Sequence, residues 1–387
     1  MYKILTLNNI SAKGLKLLPA DAYEHGSKIQ EPDAILLRSY DMHAMEIPAS
    51  VCAVGRAGAG VNNIPIAKLS ARGVPVFNTP GANANAVKEL VLAGLLLAAR
   101  NIPQALQFVE GLTGEDDAIH EAVESGKKQF VGVELPGRTL GVIGLGAIGV
   151  KVANAAHALG MQVIGFDPKL TVERAWQLSA EVAQARSVEE VFARADFVSL
   201  HVPLNDATRN MVNPELLQRA KDGLVILNFA REGIVDNAVL LPALESGKLG
   251  AYVCDFPSKA LISHARVIAL PHLGASTLEA EENCAVMVAQ QIRDYLENGN
   301  IVNSVNFPEA VLPRTDGHRI CIANANVPNM LGQISSTLAQ HNLNILDMLN
   351  KSKGEIAYTM VDVDKPVNPQ ILEQIRRIEG VLSVRSL

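Results

Sequence analysis

An apolar run at 139–143 is followed at once by Gly144-Leu145-Gly146-Ala147-Ile148-Gly149 and then by a helix-like stretch, and a second apolar run ends on Asp167, eighteen residues after Gly149. Few folds accept that order. Gly144 permits a tight turn after a strand, Gly146 lets backbone approach a pyrophosphate, and Gly149 permits close packing of helix on sheet. The helix directs the partial positive charge of its N-terminus at the phosphates. A carboxylate at Asp167 accepts both hydroxyls of a ribose and repels a 2′-phosphate, so the pattern predicts a βαβ unit that binds NAD in preference to NADP. Ala147 and Ile148 share the phosphate loop with the glycines.

The surrounding sequence supplies more units of the same kind. Apolar runs at 34–37, 51–54 and 74–77 alternate with helix-like stretches, which predicts stacked βα units and a parallel sheet. Residues 87–100 read as an apolar helix long enough to bridge two domains. A second series, 139–143, 161–166, 197–200, 224–228 and 267–270, gives five strands of a doubly wound sheet. After a helix at 279–296, Pro308, Pro313 and Asp316-Gly317 mark a linker. The remainder reads strand 319–323, helix 330–340, strands 345–350 and 356–363, helix 369–377 and strand 381–386, the ferredoxin-like βαββαβ order. The expected fold is therefore α/β: two Rossmann-like doubly wound domains, one discontinuous (1–98 with 275–307) and one at 99–274, a linker at 308–317, and a ferredoxin-like domain at 318–387.

Composition narrows the function. A net charge of −6 and 4% aromatic residues disfavour a nucleic-acid binder, which needs a basic field or an aromatic platform. The richest apolar stretch, 90–99, is about half of the roughly 20 residues that span a bilayer. The N-terminal residues read as a strand rather than a signal peptide, which makes the cytoplasm the expected compartment. Cys52, Cys254, Cys284 and Cys321 are scattered without metal-ligand or disulfide spacing and read as reduced thiols.

Moving a hydride between a nicotinamide and a hydroxy acid requires a group to exchange the hydroxyl proton and a cation to hold the carboxylate. Residues 228–236 follow a strand end, the edge where open α/β sheets bind ligands, and carry Arg231, whose planar fork suits a carboxylate. Residues 271–277 follow another strand end and carry His272, the candidate acid/base. Either alone has an ordinary structural explanation. Together, downstream of a full dinucleotide pattern, they point to a dehydrogenase.

Residues 55–64 (Gly-Arg-Ala-Gly-Ala-Gly-Val-Asn-Asn-Ile), 78–81 (Asn-Thr-Pro-Gly), 144–149, 201–204 (His-Val-Pro-Leu), 228–236 and 271–277 form an ordered set that resembles the D-isomer-specific 2-hydroxyacid dehydrogenases over residues 1–308. The C-terminal part resembles an ACT domain. Together these resemblances imply NAD-dependent oxidation of D-3-phosphoglycerate to 3-phosphohydroxypyruvate, the first step towards L-serine, by a homodimer or homotetramer. They imply that Arg231 holds the substrate carboxylate and that His272 exchanges the proton. Val202, Pro203, Ala230, Asp255 and Gly274 would complete the cofactor site. Arg38 and Ser39, Arg56, the backbone amides of Ala57 and Gly58, and Asn83 would hold the phosphorylated substrate, while Asn324, Asn326 and Asn344 would contact a serine effector.

Two departures stand out. The glutamate that usually orients the histidine falls on Lys259, so Asp255 or an acid from elsewhere must take its place. Asn329 stands where the ACT pattern often has glycine, a substitution that a left-handed backbone tolerates. Another D-2-hydroxyacid dehydrogenase, such as a hydroxypyruvate or glyoxylate reductase, and a non-catalytic NAD(H) sensor are the alternative readings.

Overall fold

Strands that are covered on both faces read as unbroken aliphatic runs, and the second series of runs forms such a sheet. The computed structural model describes residues 1–262 and 264–387, and it divides into two units: Asn83–Thr277, and Met1–Ala82 with Leu278–Leu387.

In the Asn83–Thr277 unit seven parallel strands lie in the order Val267–Ala269, Leu249–Cys254, Leu224–Asn228, Phe197–Leu200, Thr139–Ile143, Gln162–Phe166, Ala183–Gln184. Sequence order reverses between Thr139–Ile143 and Phe197–Leu200, so the loops leaving these paired strands part at a topological switch point, where doubly wound sheets bind ligands. The five expected strands are present. Two more were not legible: Ala183–Gln184 is only a two-residue edge pairing, and Leu249–Cys254 opens on Leu-Gly-Ala, a weak strand signal. Packing explains Gly250, because a Cβ there would lie 2.5 Å from the Gly223 carbonyl oxygen.

Helix Ala84–Ala99 belongs to this unit, which corrects the expected boundary at 98 to Asn83. Its Val87, Val91, Leu95 and Ala99 share a core with Leu140, Val142, Val150, Leu227 and Val253. Gly94 lets the helix approach the sheet, since a Cβ would meet Val253 at 2.9 Å and Phe229 at 3.1 Å. Burial of that apolar stripe, not its distance along the chain, decides where the helix goes.

The other unit holds a parallel five-stranded sheet in the order Tyr23–Gly26, Tyr2–Leu7, Ala34–Leu37, Ala53–Arg56, Val76–Phe77. Helix Leu278–Asn298 returns to it and buries Val288, Ile292, Tyr295 and Leu296 in its core. The C-terminal sheet is antiparallel in the order Ile345–Lys353, Ile356–Val363, His318–Ala325, Val381–Ser386, with helices Met330–Gln340 and Pro369–Arg376 completing the expected βαββαβ pattern. Asn329 adopts the left-handed conformation at φ 67° before the first of these helices.

The expected linker at 308–317 is not a free tether. Ala310 and Ile301 exchange two backbone hydrogen bonds of 2.8 and 2.9 Å, and Leu312 is buried. The guanidinium of Arg319, with no exposed surface, donates to the carbonyls of Asn298 (2.9 Å), Leu312 (2.8 Å) and Pro313 (2.8 Å) and forms a fork with Asp362 at 2.7 and 2.8 Å. All five of its N–H groups are thereby used, so connector and C-terminal sheet are fastened within one unit. Among the described residues no helix is long and apolar enough to cross a membrane.

Candidate active site

The glycine loop has the geometry its sequence implies. Gly144 takes φ +89°, and a Cβ there would meet the His201 carbonyl oxygen at 2.5 Å. At Gly149 a Cβ would lie 1.9 Å from the Gly144 oxygen, which is the close packing of helix on turn that glycine alone permits. Gly146 differs: nothing lies within 4 Å of its missing side chain, and it caps helix Ala147–Ala158 with no side-chain hydrogen bond. Open space therefore adjoins the helix N-terminus, as a pyrophosphate requires. Asp167 accepts from the Leu145 amide through Oδ2 and from the Lys169 amide through Oδ1, each at 2.8 Å. A carboxylate has about four acceptor positions, so two remain for ribose hydroxyls.

Beside this loop, Val202 packs close to Gly144 and the Pro203 carbonyl accepts from Thr208 at 2.5 Å, holding the 201–204 turn. His201 lies 2.8 Å through Nε2 from the buried Ser199 hydroxyl. Burial lowers its pKa to about 4, so the ring is neutral at physiological pH and braces the turn.

Arg231 is positioned by Asn228, to which the sequence pattern assigns no role. Asn228 ends the all-buried strand Leu224–Asn228, donates to the Arg231 carbonyl (2.9 Å) and the Tyr252 hydroxyl (3.2 Å), and accepts from the Ala230 amide (3.2 Å). A polar residue closing an aliphatic strand was the available signal. The Arg231 side chain is exposed, with Nη1 donating to the Ala230 carbonyl at 2.7 Å.

His272 follows strand Val267–Ala269, with 64% of its side chain exposed. Asp255 stands behind it, 1% exposed, with Oδ2 3.5 Å from His272 Nδ1. Neither carboxylate oxygen accepts a hydrogen bond, a costly state for a buried acid unless a cation faces it. Burial raises the Asp255 pKa, while the charges of His272 and Arg231 act in the opposite direction. Phe256 flanks the imidazole at 5.3 Å between ring centres. Gly274 is buried close by, and a Cβ there would be 3.8 Å from Asp255 Oδ2. Lys259 is exposed at the start of the short helix Lys259–Ile262.

Residues 92–274 match the family model of the D-isomer specific 2-hydroxyacid dehydrogenase NAD binding domain. The chain is 35% identical over 355 residues to a D-3-phosphoglycerate dehydrogenase of Haemophilus influenzae, covering 89% of this chain and 83% of the relative. The chain belongs to the D-isomer-specific 2-hydroxyacid dehydrogenase family. A second D-3-phosphoglycerate dehydrogenase, of Methanocaldococcus jannaschii, is 35% identical over 350 residues, and this chain spans 63% of its length. Among solved structures, an NAD+-bound 3-phosphoglycerate dehydrogenase of Entamoeba histolytica aligns with a TM-score of 0.60 at 25% identity, over 79% of this chain and 98% of that one.

This D-2-hydroxyacid dehydrogenase is an NAD-dependent oxidoreductase, and the open helix N-terminus and half-free Asp167 fit that cofactor. The other sequence candidates fare unevenly. Leu37 and Arg56 are register partners, so Arg38 and Arg56 emerge side by side at the C-terminal ends of adjacent strands. Arg56 Nε donates to the Arg38 carbonyl at 2.9 Å, and Arg38 pairs with Glu281 at 2.7 Å. Ser39 is exposed next to Arg38, and Asn83 opens the other unit ahead of helix Ala84–Ala99 without a side-chain cap bond. The amides of Ala57 and Gly58 are a correction. They already donate to the Leu37 and Arg56 carbonyls, each at 2.8 Å, so they have no hydrogen left for an anion.

Asn324 is a second correction. It is 1% exposed, donates to the Ala325 carbonyl and accepts from Thr359, which closes it to an effector. Asn326 and Asn344 are exposed, although the Asn326 amide donates to the Gly354 carbonyl at 3.0 Å. The four cysteines are free thiols, as expected.

Proposed function

We propose that this chain oxidises D-3-phosphoglycerate to 3-phosphohydroxypyruvate, the step that opens L-serine formation. Kinship with two D-3-phosphoglycerate dehydrogenases at 35% identity over most of the chain carries this reading. The paired Arg38 and Arg56 provide the cations that a phosphorylated substrate calls for. Bound NAD supplies the hydride acceptor. Arg231 holds the substrate carboxylate through its exposed guanidinium, and His272 removes the hydroxyl proton as the carbonyl forms.

In this scheme Asp255 takes over the role of the absent relay glutamate. Its buried carboxylate stabilises the imidazolium that results and fixes the ring with Nδ1 inward and Nε2 outward. Asp255→Asn is therefore expected to lower kcat about tenfold or more, because the imidazole loses the carboxylate that fixes its ring and tautomer. An unchanged kcat would assign the relay to another group.

The substrate reading is tested by NADH oxidation with 3-phosphohydroxypyruvate, hydroxypyruvate, glyoxylate and 2-oxoglutarate in parallel. The phosphorylated substrate should give by far the highest kcat/KM, and Arg56→Ala should remove that preference. Equal turnover of hydroxypyruvate or glyoxylate would favour a reductase of the same family. No turnover with any of them would favour an NAD(H) sensor.

Self-assembly is part of the same reading. Helices Ile102–Glu110 and Asp116–Gly126 bury no residue, yet Leu106 and Val109 on the first are 57% and 55% exposed and nearby Val131 is 77% exposed. Phe108 and Phe130 pack at 5.3 Å and hold this arm together. An apolar arm with no core of its own fits a second copy of the chain. Leu106→Glu with Val109→Glu should halve the mass seen by light scattering; an unchanged mass would place the interface elsewhere.

A further inference from the structure

A cavity of about 650 Å³ lies within the Met1–Ala82 and Leu278–Leu387 unit, between the C-terminal edge strand Val381–Ser386 and segments 49–52 and 72–74 of the N-terminal sheet region. Arg72, Arg376 and Arg385 line it, with Asp33 as the acidic side chain on its wall. Asp33 Oδ2 is already used by the Lys3 amide at 2.7 Å. Arg72 donates to the Ile47 and Pro48 carbonyls at 3.0 and 2.7 Å, which orients its guanidinium without neutralising it. Arg376 faces Glu373 at 3.5 Å on a half-exposed helix surface.

Arg385 is the decisive residue. It stacks 4.2 Å above the Tyr295 ring, donates to the Tyr295 carbonyl at 2.8 Å and to Cys52 Sγ at 3.3 Å, and leaves a buried Nε with no acceptor. Among the described residues no carboxylate lies within 4.0 Å of it. The acids that act on it most strongly are Tyr295, Cys52, Tyr358 and Cys321, and burial raises the pKa of each, so all are neutral at pH 7. A desolvated guanidinium with only neutral neighbours is a state that an anion relieves. The Ser386 hydroxyl also lines the cavity and can donate to such an anion, whereas those of Ser50 and Ser383 donate to the Pro32 and Gly73 carbonyls.

We propose that this cavity binds the oxyanion of a small metabolite, a carboxylate or a phosphate, at a site separate from the dinucleotide loop and from Arg38 and Arg56. Ser383 Oγ already bonds the Gly73 carbonyl at 3.1 Å across the same seam, so an anion there would tie the βαββαβ part more firmly to the N-terminal sheet.

The test is hydrogen exchange on the full chain at constant ionic strength, titrated separately with inorganic phosphate and with succinate, against chloride. The site is supported by saturable slowing of exchange at 49–52, 72–74 and 381–386, and the anion that produces it identifies the class. Arg376→Gln, on the exposed helix face, and Arg385→Lys should each raise the half-saturating concentration about tenfold, as expected for loss of a charge-assisted hydrogen bond. No saturable protection of these segments, protection confined to 144–149 or to 38–39 and 56–58, or an affinity in both variants unchanged from the native chain would overturn the proposal.

Discussion

His272→Gln is expected to lower kcat for alcohol oxidation by about 10²–10⁴-fold, the usual contribution of a positioned general base. The side chain is 64% exposed, so its replacement leaves the core intact and the loss is chemical. Affinity for NADH should be unchanged, because His272 is no part of the loop at 144–149 or of Asp167, the groups proposed to hold the dinucleotide. Glutamine retains polarity and much of the volume but cannot take up the proton. The measurement is single-turnover NADH formation together with NADH titration by fluorescence. A loss of less than about tenfold would remove His272 from the proton transfer, and weaker NADH binding would make it a cofactor contact.

Arg319→Met should be the most destabilising single substitution proposed for the other unit, at about 3–5 kcal/mol, because it leaves Asp362 buried without its counter-charge. In the native protein burial pushes the Asp362 pKa up, but the bonds from Arg319 and Thr315 outweigh it and hold the carboxyl below its usual range. A depressed folded pKa contributes stability above the unfolded value of about 3.9, and that stability is lost as pH falls through the lower folded value. Without Arg319 only the Thr315 bonds oppose burial and the folded pKa rises, so protonation then favours the folded state more than in the native protein. The gap between variant and native protein should therefore be widest at neutral pH and narrow as the solution is acidified through the carboxylate range. Urea unfolding at pH 7 and pH 4 measures this. Arg319→Met with Asp362→Leu should recover part of the loss, the remainder reflecting the Asn298, Leu312 and Pro313 carbonyls left without a donor. A gap independent of pH would show that the carbonyl bonds, and not the ion pair, carry the effect.

The legible parts of this chain were those whose information is local. Glycines at 144, 146 and 149 and an acid at 167 specify a turn, an open helix end and a carboxylate at the end of the next strand within one βαβ unit, and the structure has each of them. The strand and helix periods of the C-terminal part are equally local, and its βαββαβ order stands with shifts of a residue or two at most boundaries. Leu249–Cys254 escaped notice because its Gly250 answers to a contact with Gly223, twenty-seven positions earlier.

The site divides along the same line. Sequence alone determined an NAD loop, an arginine after one strand and a histidine after another, since residue type and position at a strand end suffice for that. Only the tertiary structure decided that Asp255 stands 3.5 Å behind His272, that Asn228 holds the Arg231 loop, that the Ala57 and Gly58 amides are already spent, and that Asn324 is sealed inside a sheet. The physical reason is common to all four. Whether a polar group is free to act depends on which partners reach it and how much water it keeps, and partners come from residues distant in the chain.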